Sequence, residues 1–510
     1  MQANSLNATL TTKDAGANKA LGKAKRSATG TTQSATGDQI DTDLCVIGAG
    51  SGGLSVAAIA AAFGRKVVLV EKGKMGGDCL NYGCVPSKAM LAAGKRAQDM
   101  RTAGPFGVGS VEPVINHRDV NAHIKSVIAA IEPNDSVERF TGLGVHVIQA
   151  AGRFIDKNTI VAGEYQIKAR RFVIATGSSP AIIPFPGLDS IPYFTNETIF
   201  ENQNKIDHLI VIGGGPIGME MAQAHRRLGS KVTVLEAFKA LGKDDPELTA
   251  IALDKIRSEG ISVREDTKVI SVDGGLGHVR VLIETDEGEE YVNGSHLLMA
   301  VGRRPNVEGL GLENAKIKFD QRGIKVDKGL KTANRKVYAI GDVIGGLQFT
   351  HVANYHAQLV IKNALFRLPI KNDQSGVPWV TFTDPEIANV GLTESQATQK
   401  FGKKINVLRW PFLENDRAQA ERTTTGHVKV ITDSKGRILG AGIVGKNAGE
   451  IIQMWSLAIS KKMKVKDMMN WISPYPTLSE VNKRVASRFF ATTPSNALVR
   501  STINFLSKFG

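Results

Sequence analysis

Residues 44–53 read Leu44-Cys45-Val46-Ile47-Gly48-Ala49-Gly50-Ser51-Gly52-Gly53. Four apolar residues, enough for a short buried strand, run straight into glycines spaced G-x-G-x-x-G at Gly48, Gly50 and Gly53. The small apolar residues of Leu54–Phe63 suit a helix packed tightly on a sheet, and Val67–Val70 supplies a second strand, so the segment reads as a β-α-β unit. In such a unit Gly48 makes the tight turn, Gly50 lets the backbone approach a pyrophosphate, and Gly53 lets helix and strand pack closely. The helix N-terminus offers unpaired N–H groups and a partial positive charge to that anion. Glu71, at the end of the second strand, is placed to accept hydrogen bonds from a ribose.

The pattern recurs. Leu209–Gly213 leads into GGGPIG with Gly213, Gly215 and Gly218 in the same register, then a helical segment over 217–229 and a strand ending at Glu236. Glu236 follows Gly218 by 18 residues, as Glu71 follows Gly53. Two such units imply two dinucleotide sites. The carboxylate of Glu236 repels a 2′-phosphate and favours NADH over NADPH, although Lys239 lies close behind it. Beyond residue 372 the pattern changes: Pro378–Asn389 alternates like a strand, and the remainder reads as an antiparallel sheet with helices in a separate domain.

Between the two units lies Cys79-Leu80-Asn81-Tyr82-Gly83-Cys84, followed by Val85-Pro86-Ser87-Lys88. One helical turn brings side chains at this spacing together. A thiolate at a helix start beside Lys88 would have a lowered pKa. Cys45, in the first strand, reads as an inert core residue. Three cysteines are too few for a secreted disulfide scaffold. With two of them close together, a reducing, cytoplasmic setting and a catalytic dithiol are expected.

The chain has 510 residues, about three to four domains' worth. No apolar run is long enough to cross a membrane. The net charge of +15 is concentrated at the ends: the first 40 residues carry five Lys/Arg against two acids, the last 50 nine against two. The middle is nearly balanced, which argues against a nucleic-acid groove. Residues 1–40 read as a disordered polar tail with no secretory leader. The segment Ala497–Phe509 has apolar residues at near-helical spacing, and packing on the partner or the body is expected over membrane contact.

CLNYGCVPSK, the two glycine loops and the later motifs together resemble the class I pyridine nucleotide–disulfide oxidoreductases, the family of dihydrolipoamide dehydrogenase, glutathione reductase and mercuric reductase. The resemblance spans roughly residues 41–490. It implies an α/β fold: two Rossmann-like dinucleotide-binding domains, for FAD (41–190 and 311–371) and NAD(P) (191–310), plus a C-terminal α+β dimerisation domain (372–510) of a homodimer. By this resemblance Cys79 is the thiol that meets the acceptor and Cys84 the thiolate beside the flavin. Lys88 would lie near the flavin and pair with Glu220. Gly152, Thr176 and Gly177 would contact FAD, Asp342 would bind its side chain, and Gly302 and Arg303 would border the nicotinamide nucleotide. No resident metal is expected.

The chain departs from the family in one place. Members that handle dithiols carry a His-Pro-Thr sequence whose histidine serves the partner subunit's site, oriented by a glutamate five residues on. Here the stretch is Ser473-Pro474-Tyr475-Pro476-Thr477-Leu478-Ser479-Glu480: Tyr475 stands where the histidine would, and Glu480 remains. Tyrosine is a poor base at neutral pH. The substitution resembles mercuric reductase, whose soft metal substrate prefers thiolates and needs no such base. However, no cysteine follows Cys84 to act as a metal relay. The expectation is an NAD(P)H oxidoreductase of mercuric reductase type, acting on a metal ion or small thiophilic acceptor. The alternatives are dihydrolipoamide dehydrogenase and a non-catalytic redox sensor or docking flavoprotein.

Overall fold

The computed structural model describes residues 38–509; the expected polar tail lies almost wholly outside them. The first strand, β1 (Asp38–Ile47), begins earlier than its apolar core announces, because Asp38–Thr42 pair in parallel with Tyr165–Ala169, a partner far along the chain. Helix α1 spans Ser51–Ala62 and strand β2 Val67–Glu71. The helix starts before Leu54 because Gly50 itself is its N-cap.

Strands Val145–Gln149, β2, β1 and Tyr165–Ile174 lie side by side in parallel. Tyr165–Ile174 is long enough to serve two further partners besides β1. Its first half pairs antiparallel with Thr159–Ala162, and its last residues pair in parallel with Val337–Ala339, a strand that returns after the second nucleotide unit. The second sheet is parallel in the order Ser262–Arg264, Lys231–Leu235, His208–Ile212, His296–Met299, with an antiparallel meander over Lys268–Gly294 beside it. In both sheets the chain winds away in opposite directions from one strand, β1 or His208–Ile212. The crevice beyond the C-terminal ends of such strands is where open α/β sheets bind ligands, and each glycine loop follows one of them.

The third layer is a five-stranded antiparallel sheet, ordered Pro378–Thr381, Glu386–Gly391, Ile438–Gly445, His427–Asp433, Ile405–Pro411. Pro378–Asn389, read from sequence as one strand, is a hairpin: Pro378 faces Val390, and the chain turns at Thr383-Asp384-Pro385, where the Thr383 hydroxyl donates to the Pro385 carbonyl (2.8 Å). Proline lacks the N–H a continuous strand would need. Trp455 is fully buried against this sheet with its indole N–H donated to Asn482 Oδ1 (2.7 Å), so its one polar atom costs little to bury. The fold is thus mixed α/β with two dinucleotide-binding domains and a C-terminal α+β domain.

Of the two packings expected for the C-terminal segment, on the partner or on the body, the helix Ala497–Leu506 does not make the second. From residue 491 to 509 every side chain is exposed except Val499, which is half-buried. No helix among the described residues is long and apolar enough to cross a membrane.

Candidate active site

The two glycine loops are geometric duplicates. Gly48 and Gly213 have φ of +105° and +107°, which side-chain-bearing residues rarely adopt. A Cβ on Gly53 would lie 1.9 Å from the Gly48 carbonyl oxygen, and one on Gly218 2.0 Å from that of Gly213. A Cβ on Gly50 or Gly215 would meet nothing within 4 Å, which leaves a cradle open at each helix N-terminus. The acids repeat the pattern. Glu71 accepts from the Ala49 N–H (2.6 Å) and the Gly73 N–H (2.7 Å); Glu236 accepts from the Gly214 N–H (2.7 Å) and the Phe238 N–H (3.0 Å). Residues present at both loops therefore fit a dinucleotide. Gly218→Val is expected to weaken pyridine-nucleotide binding by at least about 100-fold, roughly 3 kcal/mol, while flavin content is kept. Nucleotide titration with parallel flavin quantification reads this, and unchanged affinity would refute the packing argument.

Both loops open into one cavity of about 2180 Å³. The nominated residues Gly48, Gly50, Glu71, Cys79, Cys84, Lys88, Gly152, Thr176, Gly177, Gly213, Gly215, Glu220, Glu236, Gly302, Arg303 and Asp342 all line it. Gly53 and Gly218 lie beneath, where helix meets strand.

The cysteines sit on two consecutive helices, α2 (Gly77–Asn81) and α3 (Cys84–Arg101). Cys84 is the first residue of α3, so unpaired N–H groups and the helix dipole favour its thiolate. Its pKa is lowered to about 6, first by the hydrogen bond from Cys79 and then, against the cost of burial, by the Thr350 hydroxyl and the Lys88 charge. Thr350 Oγ1 lies 3.6 Å from Cys84 Sγ. Cys79 is pushed up by the same hydrogen bond and by burial. The pair thus holds one proton, on Cys79, donated toward a Cys84 thiolate. Cys45 is fully buried and its thiol is raised by that burial, as an inert core residue requires.

Lys88, one turn along α3, pairs with Glu220 Oε2 (2.7 Å) on the helix Pro216–Arg227 and lies 4.5 Å from the ring centroid of Phe382. Glu220 is buried and also accepts from the Phe382 N–H (2.9 Å). One ion pair therefore joins the cysteine helix, the second nucleotide domain and the antiparallel domain. A buried carboxylate so held fixes the position of the Lys88 ammonium beside the dithiol.

Sequence reasoning missed a second polar relay. Asp342 Oδ2 accepts from the Ser178 hydroxyl (2.6 Å), which in turn accepts from Arg303 Nε (2.8 Å); Arg303 also pairs with Asp78 Oδ1 (3.1 Å), next to Cys79. Burial raises the Asp342 carboxyl. Arg303, expected at the nicotinamide nucleotide, spends its guanidinium on Ser178 and Asp78. Asp78 adjoins the motif and could have been nominated; Ser178, Thr350 and Phe382 carry no local signal. His351, the one histidine lining the cavity, has Nε2 2.8 Å from the Pro378 carbonyl oxygen.

Tyr475 and Glu480 do not line the cavity of their own chain. Tyr475 is 68% exposed and donates its hydroxyl to Asp416 Oδ2 (2.7 Å), which raises its pKa further. Glu480, expected to orient the residue at 475, pairs instead with Arg484 (2.8 Å). Between them the Thr477 hydroxyl bonds back to the Pro474 carbonyl oxygen (2.9 Å).

Two nucleotide cradles meeting at a dithiol with one low-pKa sulfur define a flavin- and nicotinamide-linked dithiol oxidoreductase. The family models agree: residues 42–357 match pyridine nucleotide-disulphide oxidoreductase and residues 377–486 its dimerisation domain. The chain belongs to the pyridine nucleotide-disulphide oxidoreductases and is an FAD-dependent enzyme of that family. It is 35% identical over 456 residues to a mercuric reductase of Streptomyces lividans (88% of this chain, 96% of that one). It is also 35% identical over 458 residues to a dihydrolipoyl dehydrogenase of Staphylococcus aureus (88% and 97%). Among solved structures it resembles LpdA from Mycobacterium tuberculosis (TM-score 0.81, 27% identity, 88% of this chain and 99% of that one). It likewise resembles the HOCl-induced flavoprotein disulfide reductase RclA from Escherichia coli in its Cu(II) complex (TM-score 0.79, 26% identity, 87% and 99%).

Proposed function

We propose that this enzyme uses NADH to reduce a thiophilic metal ion or another soft acceptor at the Cys79/Cys84 pair, as a homodimer in which each Tyr475 loop completes the partner subunit's cavity. The observation that carries the acceptor class is Tyr475. Oxidising dihydrolipoamide requires a base to remove thiol protons, and a phenol whose pKa is raised by Asp416 is protonated at neutral pH. Reducing a divalent soft metal bound to thiolates takes two electrons and no such base. The mercuric reductase relatives and the Cu(II) complex of RclA support this reading.

Bound FAD would supply the chemistry that accepts hydride from a nicotinamide and relays the electron pair to sulfur. Gly50, Glu71, Gly152, Thr176, Gly177 and Asp342 would hold it, and Gly215, Glu236 and Gly302 the pyridine nucleotide. Around it the chain keeps Cys84 ionised through Cys79, Thr350 and Lys88 and holds the one shared proton on Cys79. NADH is favoured because Glu236 faces the second cradle, while Lys239, the nearby cation that could meet a 2′-phosphate, is paired with Asp266.

The test is NADH oxidation with Hg(II), other thiophilic metals, small disulfides and lipoamide as acceptors, and dihydrolipoamide oxidation with NAD. Metal turnover should dominate. Tyr475→His should raise dihydrolipoamide oxidation on the order of 100-fold. A native rate with dihydrolipoamide already equal to that of the histidine variant would refute this acceptor class.

A further inference from the structure

We infer that the C-terminal helix Ala497–Leu506 is a surface anchor that seats the protein on an anionic lipid bilayer. The helix is well formed: Asn496 caps it by accepting from the Leu498 and Val499 N–H groups (2.9 and 3.4 Å), and the Phe505 and Phe509 rings stack edge to face at its end (5.1 Å). At 100° per residue Leu498, Val499, Thr502, Ile503, Phe505, Leu506 and Phe509 fall on one stripe. Arg500, Ser501, Asn504, Ser507 and Lys508 fall on the other. Yet, apart from half-buried Val499, the stripe is bare: Leu498 is 78% exposed and Phe509 74%.

Two further observations choose the occupant. First, the family's fold is complete without this segment. The dimerisation-domain match ends at residue 486, and the two solved structures are covered over 99% of their length by only 87–88% of this chain. An apolar face added outside the shared body and its shared dimer face is not needed to hold either together. Second, residues 481–510 contain five Lys/Arg and no Asp or Glu. A second protein surface would meet that charge with patchy complementarity, whereas an anionic bilayer offers a uniform negative potential and an apolar boundary together. Leu498, Phe505, Leu506 and Phe509 would enter the headgroup–acyl boundary while Arg500 and Lys508 extend to phosphates. A short helix alone binds weakly. Apolar insertion combined with basic attraction supplies the two signals stable attachment needs, and two copies per dimer add avidity.

The experiment is co-sedimentation of the full-length holoenzyme with vesicles of phosphatidylcholine alone or mixed with phosphatidylserine. Binding to the anionic vesicles, lost at high salt, is expected, with at least a tenfold preference over neutral ones. The double variant L498D/F505D should lose at least tenfold of that binding and keep its flavin and its NADH oxidation. The inference is overturned if the native enzyme ignores anionic vesicles or if the double variant binds them equally. It is also overturned if the variant changes the oligomeric state, which would place the helix between copies of the chain.

Discussion

Replacing Cys84 with serine should abolish acceptor reduction driven by the pyridine nucleotide, by roughly three orders of magnitude or more, and Cys79→Ser should do the same while changing the remaining sulfur differently. The reason is the single shared proton. In the native dithiol Cys84 is lowered to about 6 chiefly because Cys79 donates to it, and Cys79 is raised for the same reason. Such a pair titrates as a unit: one proton leaves near pH 6 and the other far above neutrality. Alkylation of the reduced protein by iodoacetamide follows the thiolate fraction, so its rate should climb between pH 5 and 7. Cys79→Ala removes the donor, and the alkylation midpoint of Cys84 should move upward toward that of an ordinary thiol. Cys79→Ser keeps an O–H donor and should hold the midpoint lower than the alanine variant does. In Cys84→Ser the remaining Cys79 loses its acceptor and its midpoint should fall. Identical midpoints for Cys84 in the native, serine and alanine proteins would show that α3, Thr350 and Lys88 set the thiolate, with no share from Cys79.

These contrasts mark how far the site could be read from the chain alone. The glycine loops were legible because every determinant is local: strand, turn glycines, helix start and ribose acid fall within 28 residues, Leu44 to Glu71, and the close approach of Gly53 to Gly48 is dictated inside that span. The dithiol was legible because only four residues separate its members in one motif. The Lys88–Glu220 pair spans 132 positions and came only by resemblance. Thr350, Phe382 and the Ser178–Asp342 bond are brought together by the return of strand Val337–Ala339 to the first sheet and by the docking of the third domain, and neither has a periodicity to betray it. The same cause explains the early start of β1, whose first residues are strand only because Tyr165–Ala169 run beside them. Pro378–Asn389 failed differently: its alternation was real, but the turn at Asp384-Pro385 outweighed it.

The docking of that third domain depends on a buried charge cluster, where the largest stability loss is expected. Lys429, 2% exposed on the antiparallel sheet, reaches Asp245 (2.8 Å), Glu247 (2.8 Å) and Glu394 (2.6 Å). Asp245 is the N-cap of the nucleotide-domain helix Pro246–Ser258, and Glu247 lies in its first turn. Arg409 adds a two-pronged bond to Glu247 (2.6 and 2.7 Å), and His427, its pKa lowered by burial, lies alongside. Lys429→Met would leave three carboxylates facing one guanidinium, a loss of about 3 kcal/mol or more. The exposed pair Lys268–Glu284 provides the control, since Lys268→Met should cost under about 1 kcal/mol. The pH dependence follows from Glu247, held at about 2 against the usual 4.5, first by Arg409. A carboxyl lowered on folding contributes stability that is fully present above pH 4.5 and lost as pH falls toward 2. In the methionine variant protonation relieves uncompensated charge, so the stability gap to the native protein should narrow over the same range. The cluster also bears on the site. Asp244, adjacent to Asp245, accepts from the Trp379 indole N–H (2.6 Å), and both line the cavity beside the second glycine loop. Loosening the clamp should therefore weaken pyridine-nucleotide binding as well as lower the denaturation midpoint. A variant with reduced stability but native pyridine-nucleotide affinity would separate the clamp from the cavity wall beside it.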